Sequence, residues 1–291
     1  MPAVSQTLVA SAVFAAFASL SCAIRTQDVA VRGVTAQERL HDLPTGLGRY
    51  SVREAVTLLE EIGERCGENT EMVGPWHADL LVRGSIGRTI VEERLRVAFN
   101  PYISGARIER LPDNRRSFLL VSEGTADTKV VLDDGGRVLT HDHFDVVLNA
   151  ISGLELRAAA LEQLIRGCYM LDPPGLITSY GDNWRRVPGG RNGSMYFHRG
   201  VPVALWRMAA IFYPGPELEP RWRMDYLDVQ EGIPRTLLIT GMSSGPMQLQ
   251  ITMAQAGVRV SLPPEAFRVE VQPSSRPMTL DELTLGRLFG R

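Results

Sequence analysis

Lysine is almost absent from this sequence: all but one of its 31 basic residues are arginines, the exception being Lys129. We attribute this preference to codon bias in a GC-rich genome. The 33 acidic residues nearly balance the basic ones, and the net charge is -2. A surface that binds nucleic acid needs a clear excess of positive charge. The composition therefore argues against a nucleic-acid partner.

Long apolar runs are equally scarce. Residues 8–20 are almost wholly apolar, which matches the length of a secretory leader and is too short to span a membrane. We therefore predict a signal peptide over residues 1–23 and an exported protein at the periplasmic face of the cell envelope.

Two cleavage sites compete at the end of this leader. Ordinary signal peptidase accepts the small residues around Ser21 and Ala23, whereas Ser19-Leu20-Ser21-Cys22 is a poor form of the bacterial lipobox. In the second case Cys22 is the lipid attachment site of an outer-membrane lipoprotein, and its acyl chains anchor the protein to the membrane. In the first case Cys22 is removed with the leader, and the mature chain starts at Ile24.

Only two other cysteines, Cys66 and Cys168, follow the leader. An even pair in an oxidising compartment can close a disulfide. The alternative is a pair of buried free thiols.

Catalytic motifs are also lacking. His141, His143 and Asp145 spell the start of a binuclear zinc hydrolase signature, but Val146 stands where that signature has a further histidine, and the chain has only five histidines. We interpret the stretch as a turn before a helix. The alternative interpretation is a zinc hydrolase that uses His141 and His143. The serines of Gly193-Ser194 and Ser244-Gly245 are predicted to lie in turns, and neither is interpreted as a nucleophile elbow. The sequence therefore predicts a protein that is not an enzyme, without metal or cofactor.

What the sequence does contain is alternation of apolar and polar residues. After a tether at residues 24–50, a helix is predicted up to Gly67, with Ala55, Val56, Leu59 and Ile62 on one apolar face. About ten strands with a period of two follow, separated by short turns, and are therefore antiparallel. They include an alternating stretch at residues 267–271. Two helices, at residues 144–151 and 156–168, interrupt them, and residues 51–291 form one domain.

The apolar faces of these strands either form an ordinary core or line a cavity. Methionine and aromatic side chains suit a cavity that accepts acyl chains of variable shape. The candidate cavity residues are Trp76, Leu95, Val97, Phe99, Met208, Phe212, Met224, Tyr226, Leu249 and Ile251. Trp206, Met208, Ala210 and Phe212 are predicted to share one face.

Four stretches resemble a known family: WHADLLVRGSIG (residues 76–87), AISGLELRAAALEQLIRGC (150–168), WRMDYLDVQEGIPRTLLIT (222–240) and LPPEAFRVEVQPSSRPMTLDEL (262–283). Together with the leader they are similar to the LolA/LolB-like proteins, periplasmic carriers and outer-membrane acceptors of lipoproteins. The resemblance implies a mainly β (α+β) fold: an unclosed antiparallel β half-barrel whose concave face is covered by helices. It also implies that Leu161, Leu164 and Ile165 lie on a lid helix.

This resemblance implies a non-enzymatic protein that binds a lipid or an acylated protein, with protein partners that the sequence does not name. The alternative within the same fold is an envelope structural or scaffold protein with a packed interior.

Overall fold

A computed structural model describes residues 42–283, except residues 51, 67–73, 112–116, 125–126, 134–135, 170–175, 190–192, 202–203, 214–220, 231–232, 243–246 and 259. All of the described residues belong to one compact unit, residues 36–291. The predicted signal peptide, Cys22 and most of the predicted tether lie outside the described residues.

One sheet dominates the structure. Its strands are β1 (Arg49–Tyr50), β2 (Trp76–Ile86), β3 (Thr89–Asn100), β4 (Gly105–Arg110), β5 (Phe118–Ser122), β6 (Thr128–Leu132), β7 (Arg137–His141), β8 (Thr178–Tyr180), β9 (Trp184–Gly189), β10 (Gly193–His198), β11 (Arg207–Tyr213), β12 (Trp222–Gln230), β13 (Ile233–Gly241), β14 (Met247–Val258) and β15 (Arg276–Pro277). The described residues thus form fifteen strands where the sequence predicts about ten. Strands of two or three residues, such as β1, β8 and β15, are too short to show an alternation. Arg49 and Tyr50, predicted as the end of the tether, form β1.

The sheet consists of two meanders joined by one seam. Strands β2 to β7 follow each other in space, as do β8 to β14, and β14 pairs with β2 to join the two series. All pairs are antiparallel except β7 with β15. The two ends of the sheet, β1 and β15, do not pair with each other, so the sheet is unclosed. The predicted fold class, an unclosed and essentially antiparallel half-barrel with helices, is confirmed.

Among the described residues, three α-helices cover one side of this sheet: α1 (Val52–Cys66), α2 (Phe144–Ser152) and α3 (Ala158–Arg166). We call the side that faces them the concave face and the opposite side the outer face. Buried residues of all three helices belong to one hydrophobic cluster with the concave face. α2 and α3 both end at a glycine with positive φ, Gly153 and Gly167.

The predicted apolar face of α1 is wrong in part. Val56 and Leu59 are exposed, whereas Leu58 and Ile62 are buried. Leu58, Ile62 and Cys66 follow each other at intervals of four residues and therefore form one stripe along the helix. Cys66, which forms the disulfide described below, packs against the same cluster as Leu58 and Ile62.

The chain after β14 forms a segment that we call the strap, residues 260–283. Its alternating residues 267–271 are not a strand, contrary to the prediction; Pro264–Phe267 form a single 3-10 turn instead. Arg107 Nη1 donates to Ala266 O across 2.9 Å, and Asn100 Nδ2 donates to Leu262 O across 3.0 Å. Phe267 is buried against Gly105 on the outer face. This first part of the strap, residues 262–267, therefore packs over the sheet instead of adding to its edge.

Beyond Phe267 the strap reaches the far edge of the sheet. Arg276 and Pro277 form β15 beside β7. Met278 and Leu283 are buried in the same cluster as α2. The strap thus passes from the outer face, around β7, to the helix-covered side.

Candidate functional site

The concave face brings together nine of the ten predicted cavity residues. All of them belong to, or pack against, the single hydrophobic cluster that the helices cover. Leu95 and Ile251 are partly buried, and the remaining seven are buried: Trp76, Val97, Phe99, Met208, Met224, Tyr226 and Leu249. Their use as a ligand cavity stays a prediction.

Phe212 lies elsewhere, and its assignment to the same face as Met208 is wrong. The register of β11 against β10 shifts between Met208, opposite Phe197, and Ala210, opposite Tyr196. This bulge at Ala209 places one extra residue in the strand, so the alternation changes sides. Ile211 consequently joins the concave cluster. Phe212 packs edge-on against Tyr196, and the Arg223 guanidinium lies 5.3 Å from the centre of its ring.

The predicted lid helix, α3, lies on the concave face. Leu164 and Ile165 are buried, and Leu161 packs against the cluster while partly exposed. Hydrogen bonds attach the helix to the sheet. Trp76 Nε1 donates to Glu162 Oε1 across 2.9 Å, and the Tyr226 hydroxyl donates to Leu164 O across 2.8 Å.

Glu162 is a residue that the sequence analysis missed. Its carboxylate is buried and also accepts from Arg166 Nη1 across 3.0 Å. The available signal was a carboxylate inside the apolar stripe formed by Leu161, Leu164 and Ile165. Such a group is rarely buried without partners.

The chain on either side of α3 contacts an aromatic pair at the sheet. Tyr213 stacks on Trp222 with ring centres 4.5 Å apart, and its hydroxyl donates to Glu155 O across 3.3 Å. Arg221 and Glu155 form an ion pair beside it. Burial raises the pKa of Tyr169 to about 12, and the neighbouring Tyr213 adds to the shift.

Cys66 and Cys168 are joined by a disulfide, with their Cα atoms 5.6 Å apart. Of the two alternatives left open by the sequence, the structure has the bridge. It connects the last residue of α1 to the chain two residues beyond α3, so it fixes one end of the predicted lid.

A second buried ion pair lies on the concave face itself. Arg110 Nε and Glu93 Oε2 are 2.7 Å apart, with side chains that are 6% and 4% exposed. The adjacent Glu92 points to the outer face, where it pairs with Arg83. Neighbouring residues of a strand point to opposite sides, as these two glutamates do, but the sequence analysis overlooked Glu93. The signal was an acid that interrupts the apolar series at Val91, Leu95, Val97 and Phe99.

The histidine-rich stretch is organised as a turn. The backbone N–H of His143 donates to His141 Nδ1 across 3.0 Å, and α2 begins at the next residue. Within the described part of the chain, no group of three or more His, Cys, Asp or Glu side chains could hold a metal ion. The predicted turn before a helix is present.

A pocket of about 410 Å³ opens at the rim of the sheet. Two predicted cavity residues, Met208 and Tyr226, line it together with Val201 and Leu205 of the β10–β11 connection. Val201 and Leu205 are 54% and 62% exposed. The pocket therefore joins the edge of the concave cluster to an apolar part of the surface.

Comparison with known proteins supports the fold. No protein-family model and no curated protein sequence matches the chain. A LolA superfamily protein from Nitrosomonas europaea superimposes with a TM-score of 0.51 at 11% identity, over 74% of this chain and 97% of that one. The protein therefore has the LolA-like half-barrel fold, and the resemblance predicted from the sequence is confirmed at this level.

Two further solved structures superimpose with lower scores. A DUF1329 family protein from Desulfovibrio piger has a TM-score of 0.48 at 9% identity, over 76% of this chain and 98% of that one. A domain provisionally named for outer membrane lipoprotein sorting, from Vibrio parahaemolyticus, has a TM-score of 0.47 at 10% identity, over 75% and 97%.

Proposed function

We propose that this protein is a non-enzymatic lipid- or lipoprotein-binding protein of the cell envelope, which holds acyl chains between the concave face and α3. The observation that carries the proposal is the way in which α3 is held. It covers an apolar sheet face but takes no part in the sheet, and its polar attachments include the Trp76–Glu162 and Tyr226–Leu164 hydrogen bonds.

The rim pocket supports the same proposal. Its volume lies at the lower end of the range for small-molecule sites. An acyl chain that enters beside Leu205 reaches Met208 and Tyr226 and gains about 0.8 kcal/mol for each CH₂ group that it buries. Affinity then needs no catalytic group.

The location proposed with this function is the periplasmic face of the envelope, with an anchor at Cys22. Among the described residues, no helix is both long and apolar enough to cross a membrane. Intact-mass measurement of the protein expressed with its own leader in a Gram-negative host tests the anchor. A mature chain that starts at Cys22 with the mass of a triacyl modification supports it, and an unmodified mature chain refutes it.

Lipid binding is tested by displacement of a fluorescent fatty acid from the purified protein. The variant Ile251→Glu places a charge on the concave face and is expected to weaken binding at least tenfold, because a carboxylate there opposes an apolar chain. The matched control is Ile90→Glu on the outer face, where the side chain is already 79% exposed. Circular dichroism of both variants verifies the fold.

Equal binding by the two variants, or no binding by the wild type, refutes the proposal. The second result would favour a scaffold protein with a packed interior. The observation that favours this candidate is the filling of the concave face, where Val97, Phe99 and Met224 are at most 2% exposed.

A further inference from the structure

The ion pair between Glu93 and Arg110 is out of place on an apolar face. β3 presents Val91, Leu95 and Val97 to the helix side, and Glu93 stands in the middle of this series. Both charged side chains are more than nine-tenths buried. Replacing such a pair by apolar residues of similar size is often neutral or even stabilising, so stability alone does not account for it.

The surroundings of the pair are the least covered part of the predicted cavity. Glu93 lies opposite Val82, which lies opposite Ile251 on the next strand. Arg110 lies opposite Leu95. Leu95 and Ile251 are the two predicted cavity residues that remain partly exposed. An amphiphile on the concave face could therefore place its headgroup at the ion pair and its chains along these two residues.

The chemistry of the pair selects among headgroups. A guanidinium binds a phosphate through two parallel hydrogen bonds, and a carboxylate binds an ammonium group. A headgroup that carries both charges can separate Glu93 from Arg110 and leave neither unpaired. A headgroup with phosphate alone would satisfy Arg110 but leave the Glu93 carboxylate buried without its counter-charge, which is costly.

We propose that the concave site takes a phospholipid with a zwitterionic headgroup, of the phosphatidylethanolamine type, whose phosphate pairs with Arg110 and whose ammonium pairs with Glu93. The inference rests on the proposed function and names its ligand class. An N-acylated, thioether-linked lipoprotein terminus has no charge with which to replace the pair. The geometry therefore favours a phospholipid over an acylated polypeptide.

The test compares three probes with identical oleoyl chains: dioleoylphosphatidylethanolamine, dioleoylphosphatidylglycerol and dioleoylglycerol. Each lipid is added to the wild-type protein loaded with the fluorescent fatty acid, and the displacement of the fatty acid is measured. We expect the zwitterionic lipid to bind at least about tenfold more tightly than the other two, which corresponds to about 1.4 kcal/mol. This comparison needs no variant and decides the inference even if the variants fail to fold.

The double variant Glu93→Leu/Arg110→Met removes both charges and keeps similar volumes. It is expected to retain binding of dioleoylglycerol while the preference for the zwitterionic lipid falls to about one. The matched control is Asp79→Leu/Arg96→Met, which removes an ion pair with a similar N···O distance from the outer face of β2 and β3. The control should keep the wild-type preference.

The outcomes separate this inference from the proposed function. Binding of all three lipids with equal affinity, or a preference for the anionic lipid, overturns the inference and leaves lipid binding intact. A preference that persists in the Glu93/Arg110 variant overturns it as well. Binding of none of the three by the wild type overturns both.

Discussion

The indole N–H of Trp76 is a small group with a large structural role, because it joins the sheet to the buried carboxylate of α3. We expect Trp76→Phe to lower the free energy of unfolding by about 1–3 kcal/mol more than the loss of ring volume alone, since Glu162 loses a buried donor. Chemical denaturation measures the difference.

The matched control for Trp76 is Trp222→Phe. Both indoles are buried and stacked on another aromatic ring, Phe99 in one case and Tyr213 in the other. The indole nitrogen of Trp222 has no hydrogen-bond partner among the residues that the structure describes. Equal losses in the two variants would contradict a special role for the Glu162 contact.

Asp79 gives a residue-scale prediction that depends on pH. Two hydrogen bonds from Arg96 hold the pKa of this carboxyl below its usual value. Its contribution to stability is therefore complete above the unfolded-state pKa and is lost as the pH falls through the lower, folded-state pKa. We expect Asp79→Asn to cost at most about 1 kcal/mol at pH 7, because the pair is partly exposed.

Thermal denaturation of Asp79→Asn and of the wild type between pH 7 and pH 2 checks this expectation. The two melting temperatures should converge at acid pH. A constant gap across the whole range would show that the charge of Asp79 is not the cause.

At the scale of elements, the disulfide between α1 and the end of α3 closes a loop between positions 102 residues apart. On the chain-entropy model, a loop of this length is worth about 4–5 kcal/mol at 25 °C. We expect the double variant Cys66→Ala/Cys168→Ala to have a free energy of unfolding that is lower by this amount, as measured by chemical denaturation.

Dithiothreitol provides the control for the disulfide. It should bring the wild type to the stability of the double variant and leave the variant unchanged. Hydrogen exchange should also show faster opening of α3 in the variant, because one end of the helix is then no longer tied to α1. Unchanged exchange in α3 would refute a role of the bridge in holding the lid.

Elements also show what the sequence could and could not predict. The concave positions of β2, β3 and β12 follow from plain alternation, which is preserved over most of their length. Phe212 was misplaced because one bulged residue, Ala209, reverses the side of every later residue without changing the composition. Spacing alone could not distinguish the buried stripe of Leu58 and Ile62 from the predicted stripe of Val56, Leu59 and Ile62, since a partner outside the helix decides which stripe is buried.

At the scale of the whole molecule, the strap ties the outer face to the helix-covered side. Phe267 is its most deeply buried outer-face contact, at 2% exposure. We expect Phe267→Ala to cost about 3–5 kcal/mol. The matched control is Val271→Ala, at a side chain that is 41% exposed, which should change stability by less than about 0.5 kcal/mol.

This pair of variants also tests why the alternation at residues 267–271 predicts a strand where the structure has none. Phe267, Val269 and Val271 alternate as in a strand, and in a strand Val271 would lie on the same buried face as Phe267, so its truncation would also be costly. The alternation is coincidental here, because Pro263 and Pro264 begin a turn and the burial of Phe267 depends on Gly105, far away in the sequence. Similar losses at both positions would contradict the arrangement of the strap.

The seam between β2 and β14 has a consequence for the order in which the molecule assembles. Each meander pairs strands that are close in sequence, whereas the seam joins Trp76 to Val258. Contacts between such distant residues form slowly, because a long loop must close before any of them is made. The two halves of the sheet are thus expected to form early and independently. The seam can close only after β14 has been synthesised, so one edge of β2 keeps unpaired backbone N–H and C=O groups until most of the chain has been made.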